Sequence, residues 1–350
     1  MRKHKALPSD LIWIPGIGPD ELARQRLMKA FPRPSAPMGE AWFMSGERKM
    51  YTGAIGVPFE KLEPEVVGKM FDEIVTGPPC FGQLDEWRNW FHYLLPNLIP
   101  KALKQPSLVY VAEWLVGAAF SQHPDGLEDY PYRGFRSDVL ATLGHVVMSP
   151  EIWDDGKLKW EGGLFHESRK YSEVWWYFDR TSPPVSAMLF FCLKYLRPNQ
   201  IEPWLRSAIE IDCPLWRSQL IVWLTGAQRM LSGEISQPNE FGELEWSVNW
   251  EWSHVISGNY SGDFSKEPAV LLDAGCKPIA SAASDISNAS RHAPFIPEIN
   301  LLEFRKCFKK LMPRDVRELL SAQTTALPLL KREMGNIPVA FEELELSTAA

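Results

Sequence analysis

The feature that most constrains the fold of this chain is a long succession of apolar stripes with a period of 3.6, punctuated by proline. Val66, Val67, Met70, Phe71 and Ile74 form one stripe, and Leu84, Trp87, Phe91, Leu94 and Leu95 the next. Leu108, Val111, Ala112, Leu115 and Val116 follow, then Phe135, Val139, Leu140, Leu143 and Val147. Offsets of three and four put these side chains on one face of an α-helix, which must then bury that face against a neighbour. Ile201, Trp204, Leu205, Ala208 and Ile209 make a further helix. The longest clean stripe is Trp216, Leu220, Trp223, Leu224, Ala227, Met230 and Leu231. Val185 to Leu196 is apolar almost all round and is expected at the centre of the core. Leu301, Phe304, Phe308, Leu311 and Met312 predict a helix near the C-terminal end. Pro96, Pro100, Pro106, Pro198, Pro203 and Pro214 are expected at the joints, because proline lacks the amide a helix interior uses.

Three segments read differently. Trp42 to Ile55 suits a hairpin around Ser45-Gly46-Glu47. Tyr171, Val174, Trp175 and Phe178 fit a helical stripe. Leu244, Trp246, Val248, Trp250 and Trp252 alternate with Glu243, Glu245, Ser247, Asn249 and Glu251, which is the period of a strand with one apolar face. The expected fold is therefore mainly α, an irregular helical array or α-solenoid-like body, with a small β-hairpin or strand insertion near 243–256. Four stretches are expected: an irregular arm over 1–60, a helical core over 61–232, a β insertion with turns over 233–265, and C-terminal helices over 266–350. No residue-level repeat recurs at a fixed period.

Charge and cysteine usage narrow the function classes. A net charge of −7 disfavours nucleic acid as the main partner, since phosphate binding relies on clustered Lys and Arg, and it suits a basic protein partner. The five cysteines are scattered and never form a Cys-x-x-Cys pair, so a reducing compartment without disulfides or zinc is expected. Met1 to Lys5 is basic but leads into Pro8, Ser9 and Asp10, not into the apolar stretch of a secretory leader. The longest strictly apolar run, Ala187 to Leu193, is too short for a membrane span of ~20 residues. These readings predict a soluble cytoplasmic protein.

Motifs of known chemistry are sparse. The seven histidines are isolated, with neither His-x-x-x-His nor His-Glu-x-x-His, so no metal or cofactor is expected. There is no Gly-x-Ser-x-Gly elbow and no Walker loop. Pro15-Gly16-Ile17-Gly18-Pro19, followed by a helix over Asp20 to Phe31, resembles the turn of a helix-hairpin-helix module over about a dozen residues. The resemblance implies backbone amides offered to a nucleic-acid phosphate. Asp20 and Glu21 depart from that pattern, standing where basic residues would help.

Fifteen tryptophans remain to be placed. Trp87, Trp175, Trp204, Trp216 and Trp223 stand among aliphatic neighbours and are expected in the core. Trp246, Trp250 and Trp252 are candidate partner-binding residues, since exposed aromatics anchor protein interfaces. The preferred functional reading is a non-enzymatic cytosolic protein-protein interaction module, one form of which is an immunity protein that neutralises a toxin. The alternative is an (α/α)-type carbohydrate-active enzyme, in which Asp154, Asp155 and Glu173 would supply paired carboxylates beside Trp platforms.

Overall fold

The computed structural model describes residues 11–41, 48–63, 66–67, 69–70, 73–74, 84–104, 109–159, 166–170, 173–177, 184–214, 216–217, 220, 223–224, 227–236 and 294–313. They are mostly helical, as the stripes predict. Helix α1 spans Glu21–Ala30 and starts where Asp20 accepts the amides of Leu22 and Ala23 at 2.7 and 3.1 Å. Helices α2 (Leu84–Lys104) and α3 (Val109–Gln122) follow, then α4 (Phe135–Thr142), which tightens into a 3₁₀ stretch over Leu143–Met148. Helices α5 (Pro184–Tyr195) and α6 (Pro198–Glu210) come next, then the short α7 (Gln228–Leu231) and finally α8 (Glu298–Leu311).

The helices form an array around α5 and the 3₁₀ stretch. Helix α5 touches α3, α4, α8 and the 3₁₀ stretch, while α1 lies on α2 and α4, and α6 lies on α8. All six residues of Leu143–Met148 are buried. One continuous apolar cluster runs from Leu11 to Met312. Trp87, Trp204, Trp216 and Trp223 are buried in it, as their stripes predict.

Trp13 shows how the N-terminal stretch is fastened. Its indole donates to the Gly144 carbonyl at 2.8 Å, and its backbone amide donates to Ser207 Oγ at 2.9 Å. Its ring meets Trp204 and Trp216 edge-on, each at 5.5 Å. Trp153 joins Trp216 at 5.8 Å and donates to the Val147 carbonyl at 2.7 Å. Edge-on ring pairs add to area burial, and each donated N–H avoids the cost of an orphaned buried polar group.

Two readings differ from the structure. Pro96 and Pro100 lie inside α2, not at a joint, and Pro203 lies inside α6. Pro100 has no amide for the Pro96 carbonyl, and Arg24 Nη1 from α1 donates to that carbonyl instead at 3.1 Å. The second difference is the segment read as a helix around Tyr171–Phe178. There β5 (His166–Lys170) pairs antiparallel with β6 (Glu173–Tyr177). Glu-Val-Trp-Trp-Tyr is rich in β-branched and aromatic residues, and in so short a run that preference outweighs a 3.6 spacing.

The other hairpins are small. Strands β1 (Met38–Ala41) and β2 (Arg48–Met50) pair where a hairpin was expected, slightly towards the N-terminus. Strands β3 (Trp153–Asp154) and β4 (Lys157–Leu158) are joined by Asp155 and Gly156, both with positive φ (45° and 72°). That is the left-handed pair of a type I′ turn, which Asp-Gly favours. The strand expected near 243–256 lies outside the described residues.

Candidate functional site

Asp138 is the residue around which a site is built. It sits on α4, only 4% exposed, and a buried carboxylate needs a partner. Arg26 on α1 supplies one through a fork: Nε reaches Oδ1 and Oδ2 at 3.1 and 3.0 Å, and Nη2 reaches Oδ1 at 2.6 Å. The Tyr132 hydroxyl donates to Oδ2 at 2.8 Å. Burial and the Asp138 hydrogen bond push the Tyr132 phenol well above its ordinary pKa, so it stays a neutral donor. Asp138, in turn, has both carboxylate oxygens engaged as acceptors.

These groups line an open cleft of about 570 Å³, with Lys29, Ala30, Arg133, Gly134 and Ser137 completing its wall. The sequence places both sides. The Asp20 cap fixes the start of α1, and the Asp20 amide donates to the Ala141 carbonyl at the end of α4 at 2.9 Å. Arg26 and Lys29 then fall on adjoining turns of α1, facing the start of α4. Tyr130, 72% exposed, stands two residues before Tyr132.

Behind the cleft lies a cluster of rings. Phe31 contacts both Tyr132 and His92, with ring centroids 6.0 and 4.4 Å away. Phe135 meets Phe31, Tyr132, His92 and His123 within 5.1–5.8 Å. His92 and His123 stack, with Nε2 atoms 3.1 Å apart. Such a contact needs one donor and one acceptor, hence two imidazoles of opposite tautomer. Burial, together with the neighbouring Arg88 cation, depresses His92 to about 3 and His123 to about 4. These histidines support the cleft from behind and are neutral at physiological pH.

A second groove runs along α6 and α8 and is lined by Ile12, Asn199, Glu202, Arg206, Glu210 and Glu303, among others. Its charges are mostly paired within the groove wall: Glu202 accepts from both Arg206 (2.8 Å) and Lys310 (2.7 Å).

Of the candidate residues read from sequence, Asp154, Asp155 and Glu173 fall among the described residues. Asp154 and Asp155 are exposed on the β3–β4 hairpin, where Asp155 serves the turn. Glu173 stands opposite Lys170 in the strand register, at the turn end of β5–β6. Trp246, Trp250 and Trp252 lie outside the described residues. In the Pro15–Pro19 turn, a methyl group on Gly18 would stand 2.9 Å from Ser149 Oγ and 3.0 Å from Ser149 Cα. That glycine therefore lets the turn approach the core closely. Arg26, Lys29, Tyr132, Arg133 and Asp138 were not singled out by sequence reasoning. The one local signal was an acid, Asp138, set beside the apolar stripe of α4; nothing linked it to Arg26, 112 positions away.

Among the described residues, no group of three or more His, Cys, Asp or Glu could hold a metal ion. Among them, too, no helix is long and apolar enough to cross a membrane. Comparison of the chain with protein-family models, curated proteins and solved structures found no match.

Proposed function

We propose that this protein is a non-enzymatic interaction module of the cytoplasm that binds another protein through the α1–α4 cleft. The observation that carries the reading is the cleft's make-up: Arg26, Arg133 and Tyr132 in its wall, with Tyr130 exposed beside it. Arg and Tyr are the residue types that most often anchor protein interfaces. The Arg26–Asp138–Tyr132 network fixes two of these anchors before binding, which lowers the ordering cost of association. The helical array supplies a rigid frame for them. Trp246, Trp250 and Trp252 belong to the same proposal as further anchors, on the strength of their alternation in sequence. The net charge of −7 draws in a partner of net positive charge at long range. Neutralising a toxin is the form of this role that best fits such a binding body.

Affinity capture from native cytosol tests the reading, with the full chain and a Tyr130→Ser/Arg133→Ser variant as parallel baits. A stoichiometric partner held by the wild type and lost by the variant supports it. Absence of any stoichiometric partner, or equal retention by both baits, overturns it. If the captured partner is a toxin, its activity should fall on addition of the wild-type chain.

A further inference from the structure

We infer that the α1–α4 cleft seats an acidic segment of the partner protein, with Lys29 and Arg133 as the recognising cations. The inference rests on the binding role proposed above and names the chemistry of what the cleft holds. The cleft is a local basic island on an acidic body. Its wall carries Arg26, Lys29 and Arg133 against the single carboxylate of Asp138. That carboxylate is fully engaged by Arg26 and Tyr132. Two other acids nearby are engaged as well: Asp20, whose charge acts on Arg26, accepts the Leu22 and Ala23 amides, and Asp129 accepts the Gly134 amide at 3.1 Å and pairs with Arg197 at 3.6 Å.

The cations are placed differently. Lys29 and Arg133 are exposed and have no ion pair among the described residues. Arg26 spends Nε and Nη2 on Asp138, which leaves Nη1 available at the same wall. The Ser137 hydroxyl, also exposed, adds a neutral donor to the rim. A carboxylate offers the planar acceptor edge that a guanidinium fork matches. A basic segment would meet three like charges here. The body's net charge steers the partner only as far as salt screening allows, while at contact, within about 8 Å, these local cations decide which segment seats. Tyr132 gives the same segment an aromatic surface for the apolar side chains between its acids.

The test uses the full chain and two labelled octapeptides, one alternating Glu and Tyr, the other Gln and Tyr, with binding read by fluorescence anisotropy. The Glu peptide should bind about tenfold more tightly than the Gln peptide, and the difference should shrink as salt is added. Lys29→Gln with Arg133→Gln should weaken the Glu peptide about tenfold and leave the Gln peptide unchanged. Lys29→Arg with Arg133→Lys, which keeps both charges, should retain the Glu preference. Equal binding of the two peptides, no binding of the Glu peptide, or undiminished binding to the Gln variant would each overturn the inference. If the cytosolic partner is still captured through the cleft in that case, the binding role stands and only its acidic character is lost.

Discussion

Acidification from pH 7 to pH 5 should strip stability from this protein through three histidines, His92, His123 and His145. His92 is depressed to about 3 by burial, with His123 and Arg88 adding to the effect. His123 is depressed to about 4 by burial and Arg88, and His145 to about 4 by burial. All three lie below the ordinary value of 6.5, so in mild acid the unfolded chain takes up protons that the folded chain refuses. Stability is therefore complete above about pH 6.5 and falls as pH drops through that value, levelling off only near the folded pKa values. At pH 5 each histidine costs about 2 kcal/mol relative to pH 7, a combined loss on the order of 6 kcal/mol. Glu21 and Glu202 are held below their ordinary 4.5 by Arg24 and by Lys310 with Arg206, so their contributions are lost only at lower pH. The window from pH 7 to 5 thus belongs to the histidines. Urea unfolding at a series of pH values, followed by tryptophan fluorescence, reads the effect. His92→Phe should flatten the dependence by about a third, since it removes one of three such groups. A free energy of unfolding that stays level between pH 7 and 5 would refute the reasoning, as would a His92→Phe slope equal to that of the wild type.

Three further outcomes are expected. Trp13→Ala should cost roughly 3–5 kcal/mol of stability in urea unfolding, and Trp13→Phe about 1–3 kcal/mol, because the buried Gly144 carbonyl loses its donor. Arg26→Ala should cost about 1–3 kcal/mol by leaving the Asp138 carboxylate buried with one donor, and adding Asp138→Ala should restore part of that loss in the same assay. Gly18→Ala should lower the melting temperature, since the added methyl group meets the backbone of Ser149 at 3.0 Å, with a cost of about 1–3 kcal/mol.

The helices were legible in sequence because burial imposes its period locally. The stripe from Trp216 to Leu231 is buried at every named position, and the Val185–Leu196 segment, apolar almost all round, forms the central α5 up to Tyr195. Asp20 was legible as the residue opening a helix, although its capping role had been read only as a departure from a phosphate-binding turn. Pro96 and Pro100 misled because their compensation comes from outside the helix: the guanidinium that satisfies the Pro96 carbonyl belongs to Arg24, 72 residues earlier. Asn300 acts in the same way, its side-chain amide donating to the Leu193 and Leu196 carbonyls at the end of α5 at 2.8 and 2.9 Å. The candidate cleft was illegible for the same reason. Arg26 and Lys29 look like solvent-facing charges of an amphipathic helix until the fold sets them against Tyr132, Arg133 and Asp138. Asp155 was legible as an acid beside a tryptophan, but not as the residue that turns the chain with Gly156 between β3 and β4.

Hydrogen exchange of the protein alone and in complex with a protein purified by the affinity capture tests the central claim most directly. A protein-binding cleft between α1 and α4 predicts slowed exchange over Lys29 to Phe31 and Tyr130 to Ser137 in the complex, with α6 and α8 unchanged. Protection confined to α6 and α8, with both faces of the cleft exchanging as in the free protein, would contradict it.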